Sequence, residues 1–318
     1  MENKEVLGHV AVLLTILIWG TTFISTKVLL QFFTPVEILA VRFLLGYCAL
    51  YIIYPRRLKG MSFKQELICL FAGMCGICLY YLCENIALSY TLASNVGVLI
   101  CLAPLFTVIL SRFFKLKKEK IGISFCIGCV IAFGGVVLIS FDNQSVEFNF
   151  IGDCLAVLAA LIWAIYSLLT KKLGEFGINT ILLTRRVFFY GLIFILPLSF
   201  VFDFSLNQDL LFKPEVYFNF LFFGLGASAL CFVTWNFAVK ILGAVKTGVY
   251  IYAVPVITVI TSVLILHEVV TVKILIGLAL TLLGVFIAEE HGLRYIVFLF
   301  LYKKIDLFIP DRRNLNIV

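Results

Sequence analysis

Trp19, Thr22 and Thr26 recur at i, i+3 and i+7, the spacing of one stripe along an α-helix, within LIWGTTFISTKVLL (residues 17–30), which is otherwise apolar up to Lys27. An indole and two hydroxyls on one stripe can line a polar cavity or hydrogen-bond to neighbouring helices; facing lipid, their polar atoms would go unmatched. Tyr80, Tyr81, Glu84 and Asn85 form a second cluster containing i, i+4 pairs. Glu84 is the acidic side chain to consider as a proton carrier, although its place near the end of an apolar stretch also suits a solvated carboxylate. Trp163 with Tyr166, Trp235 with Asn236, and Tyr250 with Tyr252 are further groupings of aromatic and polar atoms suited to contacting an organic ligand.

Four basic side chains lie inside apolar stretches or at their ends. Lys27 sits at an end, where its stem can snorkel to the headgroups or its ammonium can cap terminal helix carbonyls. Either role is favoured over an anion contact, because a charge near a helix end avoids the mid-bilayer penalty. Lys171 stands at the corresponding end of a later stretch. Arg42 and Arg186 lie deeper, where an unpaired guanidinium costs roughly 2.5 kcal/mol or more. Each therefore needs a partner. Glu37, five residues before Arg42, is awkwardly spaced for one helix face, so a carboxylate or carbonyl from another helix is expected. A clamp between helices is the favoured reading for both arginines, with gating or ligand contact as the other, and Arg185 beside Arg186 leaves the pairing open.

Other chemistry is poorly supplied. Cys75/Cys78 and Cys126/Cys129 are each spaced to share a helix face, but thiols within apolar segments act as small packing residues, so no metal site is expected. HEVVT at 267–271 ends in Thr271 where a zinc-peptidase helix needs its second His, and no glycine-rich loop precedes a Lys-Ser/Thr pair. No catalytic residue and no cofactor are assigned.

What must position these residues is a membrane fold. The 318 residues are 63% hydrophobic and 14% charged, with mean hydropathy +1.11, whereas a soluble domain is roughly 45–50% apolar and about 25% charged. A spanning helix needs about 20 apolar residues. Ten such segments fit: 9–30, 35–54, 66–88, 91–112, 121–140, 151–171, 179–202, 216–239, 247–266 and 271–290. The first is too long for a signal-peptide core and its flank mixes Lys4 with Glu2 and Glu5, so it is expected to be retained. The fold class is an all-α membrane protein of ten transmembrane helices, with the lipid bilayer as its surroundings.

The formal charge of +7 could suit a nucleic acid, but the placement of the basic residues points elsewhere. Connections after the even-numbered segments hold Arg56, Arg57, Lys59 and Lys64, then Arg112, Lys115, Lys117, Lys118 and Lys120, then Lys171 and Lys172, then Lys240 and Lys246. The alternate connections hold only Lys213 and Lys273. With Lys4 and the basic tail added to the rich side, the positive-inside rule places both termini in the cytoplasm of a multi-pass protein, expected in a plasma membrane of the bacterial inner-membrane kind. Asn143 in NQS would then lie in an outward loop.

The chain also repeats itself. Trp19, Lys27 and Arg42 have twins 144 residues on at Trp163, Lys171 and Arg186. GVLICLAPLFTVIL (97–110) overlies GVYIYAVPVITVIT (248–261) at offset 151 with 7 of 14 positions identical, and Asn85/Asn236 keeps that offset. Glu119, Gly128 and Gly135 match Glu268, Gly277 and Gly284 at offset 149. The expected units are residues 1–140 and 150–290, each of five helices, followed by a tail, 291–318, that is cytoplasmic and interfacial in character. Five is odd, so the second unit enters the membrane from the opposite face. Inverted repeats of this kind let carriers expose one site alternately to two sides.

Gly97/Pro104 and Gly248/Pro255 interrupt corresponding charge-free helices, a pattern that marks a midplane site. Together with IWG followed by Lys, the Arg of the second segment, and Glu followed by two spaced Gly, this order of features resembles the EamA-like branch of the drug/metabolite transporter superfamily over residues 9–290. The resemblance implies a ten-helix exporter or permease for amino acids, related metabolites or drugs, with a cavity lined by the first, third, fourth, sixth, eighth and ninth helices. A small-molecule substrate is therefore expected, with no nucleic-acid partner; the sequence leaves the oligomeric state open and is compatible with a monomer.

Overall fold

Long apolar runs that must satisfy every backbone N–H and C=O internally have one local solution in lipid, the α-helix. The computed structural model describes residues 2–58, 60–91, 93–113, 122–140, 149–202, 204–266 and 271–288, and the described residues form helices throughout. Glu119, Asn143, Glu268 and the 291–318 tail lie outside them. Among the described residues, six helices are long and apolar enough to cross a membrane: α1 (Glu2–Leu29), α2 (Pro35–Ile53), α3 (Phe63–Tyr90), then α7 (Phe150–Gly174), α8 (Thr180–Val201) and α10 (Pro214–Leu242). Shorter helices complete the order: α4 (Ala93–Ile100), α5 (Ala103–Phe113) and α6 (Ile123–Ser140) before α7, α9 (Gln208–Leu211) before α10, and α11 (Ala244–Val249), α12 (Val254–Leu266) and α13 (Val272–Ala288) after it.

Polar residues at the ends fix where helices begin. Thr34 and Glu37 form a reciprocal capping box at α2, with Pro35 in the first turn, and Ser62 with Gln65 does the same at α3. Asn149 and Asn179 cap α7 and α8 through their side-chain oxygens. Glu37, the poorly spaced neighbour of Arg42, is thus committed elsewhere: its other oxygen accepts the Ser205 N–H at 2.9 Å.

The local distortions recur at matched positions. A π-helical stretch, Met74–Leu79, widens α3, and a second, Phe222–Leu230, widens α10; at offset 151 the first falls on residues 225–230 of the second. Pro104 is the second residue of α5, just past the break after Ile100, and Pro255 is the second residue of α12, just past a 3-10 turn at Tyr250–Ala253. Both interruptions follow from the missing proline N–H and its ring clash with the preceding turn. Gly248 lets α11 approach Pro104, with 3.8 Å from the position of a built Cβ to the Pro104 Cα.

Tight packing uses small residues, as expected where lipid removes the hydrophobic drive between helices. A Cβ on Gly128 of α6 would stand 2.5 Å from the Gly284 carbonyl of α13, and one on Gly284 2.6 Å from the Gly128 carbonyl; one on Gly135 would stand 2.6 Å from the Gly277 carbonyl. Residues ascending in α6 meet residues descending in α13, so the two are antiparallel. α1 and α10 are antiparallel too, with Gly8 beside Leu242, Thr15 bonded to Thr234 and Trp19 bonded to Ala227. The exterior presents Leu17, Val130, Leu196, Phe200, Phe218 and Leu282 as an apolar surface.

Candidate functional site

The three tryptophans of the chain converge from three helices. Ring centroids lie 5.2 Å apart for Trp19–Trp163, 5.2 Å for Trp19–Trp235 and 5.5 Å for Trp163–Trp235. Phe232 of α10 packs on Trp19, Trp163, Tyr166, Phe43 and Phe188 around this centre. Beside the triangle opens a cleft with about 490 Å³ of empty space including its mouth. Its walls are Trp19, Thr22 and Phe23 of α1, Tyr80, Tyr81 and Glu84 of α3, Gly97 and Ile100 of α4 with Cys101, Trp163 of α7, and Ile251 and Val254. Of the cavity candidates singled out in the sequence, Trp19, Thr22, Tyr80, Tyr81, Glu84 and Trp163 line this one space, together with Gly97, expected as a helix interruption. Sequence reading missed Phe23, Ile100, Cys101, Ile251 and Val254, apolar residues with no signal beyond their twin positions.

The polar inventory of this cleft is small. The Trp19 Nε1–H donates to the Ala227 carbonyl at 2.9 Å, inside the π-helical stretch of α10. The twin Trp163 Nε1–H is buried with no partner among the described residues, and so is Glu84 Oε2. Thr22 bonds to its own helix at the Trp19 carbonyl. The cleft thus offers ring faces, one uncommitted indole donor and one uncommitted carboxyl oxygen to whatever enters it.

Arg42 stands behind the Tyr81 wall and is buried. Its Nε donates to Ser228 Oγ at 2.8 Å and its Nη2 to the Tyr81 hydroxyl at 3.2 Å, while the guanidinium lies 4.1 Å from the Tyr81 ring centroid and 4.9 Å from that of Phe223. Its partners are two hydroxyls, aromatic rings and, at 3.5 Å, the Ala227 carbonyl of another helix, one of the two kinds of partner expected, rather than a carboxylate; Ser228 is identifiable only after folding because it is 186 positions away. Arg186 has a carboxylate: two bonds to Glu66, 2.9 and 2.8 Å, with the Tyr190 hydroxyl donating to the same group at 2.7 Å. This triad is part-exposed at the start of α3. Arg185 instead donates to backbone carbonyls of Tyr54 and Arg56. Lys27 donates to the Leu88 and Thr91 carbonyls at 2.8 and 3.3 Å, capping the C-terminal end of α3.

The other sequence candidates stand outside the cleft. Thr26 bonds back to the Thr22 carbonyl, and Asn85 donates to the Pro35 carbonyl. Trp235 backs the triangle, Tyr250 bonds to His9 across 241 positions at 2.7 Å, and Tyr252 is fully buried. Tyr166 donates to Asn236 Oδ1 at 2.8 Å, and Asn236 Nδ2 donates to Thr184 Oγ1 at 2.9 Å. Lys171 is half-buried near the end of α7. Gly248, Pro104 and Pro255 shape the α5 and α12 crossings.

Comparison with known proteins adds a name to this geometry. The model of the EamA-like transporter family matches twice, over residues 6–141 and again over 150–288. A protein of Archaeoglobus fulgidus described as an uncharacterized transporter is 29% identical over 292 residues, covering 89% of this chain and 98% of its own. The uncharacterized transporter YoaV of Bacillus subtilis is 25% identical over 89% of this chain and 96% of its own. A solved crystal structure, 19% identical, shares the fold with TM-score 0.76 across 93% of this chain and 99% of that one. The chain is a multi-pass membrane transporter, not an enzyme, and it belongs to the EamA-like transporter family.

Proposed function

We propose that this protein is a secondary transporter that exports small organic solutes by alternating access, with two inverted five-helix halves rocking about the tryptophan-walled cleft. The observation that carries the reading is the antiparallel packing of twins. At offset 149, Gly128 corresponds to Gly277 and Gly135 to Gly284, so the Gly128–Gly284 contact maps onto the Gly135–Gly277 contact. An antiparallel contact between corresponding helices needs a twofold axis across the helices, which for spanning helices lies in the membrane plane. Ten crossings, with both termini in the cytoplasm, then follow from the charge alternation. The double match of one family model and the twin π-helical stretches support the same duplication.

The cleft itself suits an amphipathic solute. Trp19, Tyr80, Tyr81 and Trp163 supply ring faces for an apolar body, and Trp163 Nε1 and Glu84 supply a donor and an acceptor for its polar end. Amino acids, amine metabolites and drugs of that character are the substrate class. Asymmetry supports a selective site: at offset 151 Glu84 overlies Trp235 and Tyr81 overlies Phe232, so the carboxyl and phenol have no counterparts in the other half. Purified protein in proteoliposomes tests the reading. Counterflow of at least one member of an aromatic and amine solute panel supports transport, its dependence on an imposed pH gradient reads coupling, and the gradient's direction separates export from uptake. Absence of counterflow across the panel contradicts the proposal.

A further inference from the structure

A second, smaller space lies away from the cleft. About 260 Å³ of empty space, its mouth included, lies between Thr170, Leu173, Gly174 and Ile178, Thr180 and Leu183 of α8, and Asn236 and Lys240 of α10. Its height is set by antiparallel neighbours: Gly174 packs against Lys240, and Leu242 of the same helix packs against Gly8 at the start of α1. The main cleft instead begins at Trp19 of the same helix. Eleven residues of α1 between Gly8 and Trp19, at about 1.5 Å each, separate the two levels by about 15 Å, toward opposite ends of the bundle.

One continuous run of side chains fills the interval. Trp163 walls the cleft; Tyr166 packs on it with centroids 5.1 Å apart; the Tyr166 hydroxyl donates to Asn236; Asn236 walls the second space and donates to Thr184. Tyr166 of α7 is fully buried, and the run it starts passes through Asn236 of α10 to Thr184 of α8, so two hydrogen bonds join three helices. The corresponding residues in the other half do not form this arrangement. Tyr166 corresponds to Thr22 and Thr184 to Ala40 at offset 144, and Asn236 to Asn85 at offset 151. Thr22 bonds within α1, Asn85 bonds to Pro35, and Ala40 has no hydroxyl.

We infer that Tyr166, Asn236 and Thr184 form a one-sided latch, and that the Thr170–Asn236–Lys240 space is the closed vestibule of the solute path on the far side of it. This rests on the alternating-access reading and adds a bias to it: because the twin positions Thr22, Asn85 and Ala40 do not reproduce this hydrogen-bonded run, the state with the cleft open and the vestibule shut is the favoured resting state. Opening the vestibule breaks the Tyr166–Asn236 and Asn236–Thr184 hydrogen bonds. Solute must pass Asn236 to cross.

The test is thiol accessibility in the full-length protein held in nanodiscs, where both faces meet solvent. Gly97→Cys reports the cleft, since a Cβ there meets no heavy atom within 4 Å, and Thr180→Cys reports the vestibule. A charged methanethiosulfonate is the probe, quantified site by site by mass spectrometry with the native thiols in place. Tyr166→Phe is expected to raise the labelling rate at position 180 about fivefold, the shift expected from one hydrogen bond, and to lower it at position 97. Thr184→Val should act in the same direction and Thr184→Ser should restore the parent rates; these two carry the test if Tyr166→Phe does not fold. Unchanged labelling at position 180 in the hydroxyl-deletion variants overturns the latch. A reciprocal shift in a protein that gives no counterflow sustains the latch while removing the transport reading.

Discussion

Trp19 and Trp163, 144 positions apart in the chain, meet edge to face with ring centroids 5.2 Å apart. In the proposed inverted arrangement, corresponding residues of the two units touch only near the axis that relates them, so the proposal puts that axis at this contact; the cleft opens directly beside it. The two indoles nevertheless do different work. Trp19 ties its N–H to Ala227, whereas the N–H of Trp163, a residue of the cleft wall, is buried with no partner among the described residues. Trp19→Phe should therefore lower stability by about 1–3 kcal/mol, since it removes a buried hydrogen bond to the Ala227 carbonyl as well as packing. Trp163→Phe should be milder for stability yet raise the KM for solutes bearing an acceptor. Thermal unfolding and counterflow kinetics of the two variants separate these effects.

Arg42 and Arg186 hold corresponding positions in environments of opposite kind. Arg42 is buried with its planar fork on Ser228 and Tyr81 and its face on two rings, an arrangement that an ammonium cannot reproduce. Arg42→Lys is expected to destabilise by about 2 kcal/mol or more. The Arg186–Glu66 pair is part-exposed, with side-chain exposures of 36% and 26%, so Glu66→Gln should change stability by no more than about 1 kcal/mol. Denaturation of both variants in the same detergent checks the ranking.

Glycine positions divide in the same way. Gly135→Ala would put a methyl 2.5 Å from the Thr281 backbone N and 2.6 Å from the Gly277 carbonyl, forcing α6 and α13 apart. Gly97→Ala meets open space. The first should lower Tm by several degrees, equivalent to about 1–3 kcal/mol, and the second should leave it within error. A thermal-shift series across the two reads this directly.

Much of this was legible in the sequence, and the rest for identifiable reasons was not. Hydropathy alone located the long helices, because in lipid the backbone has few alternatives; the place of Lys27 at a helix end allowed snorkelling or carbonyl capping, and the carbonyls it meets, Leu88 and Thr91, belong to the end of another helix. Contacts set by tertiary fold were hidden: Glu66 lies 120 residues from Arg186, Ser228 186 from Arg42 and His9 241 from Tyr250. Tyr166 and Asn236 drew notice as ligand contacts, yet their atoms bond to one another, because residue type tells what a group can do and only packing tells which neighbour it meets. The π-helical stretches had no signal in composition, since Met74–Leu79 reads like any apolar turn.

Glu84 is the one cleft carboxyl, and with one oxygen unpartnered it is the group through which a proton gradient would act. Glu84→Gln keeps shape and hydrogen bonding but removes titration. Counterflow should persist in this variant while uphill movement driven by a pH gradient is lost. Equal gradient dependence in both forms would assign coupling to another group.

The inverted pairing of the halves is the claim on which alternating access depends, and sidedness tests it. Met61 lies in the connection between α2 and α3, and Ser205 in the corresponding connection between α8 and α10. In intact cells, an impermeant maleimide applied to Met61→Cys and Ser205→Cys forms, with and without permeabilisation, should reach position 205 at once and position 61 only after the membrane is opened. Labelling of both positions from the same side would contradict the account.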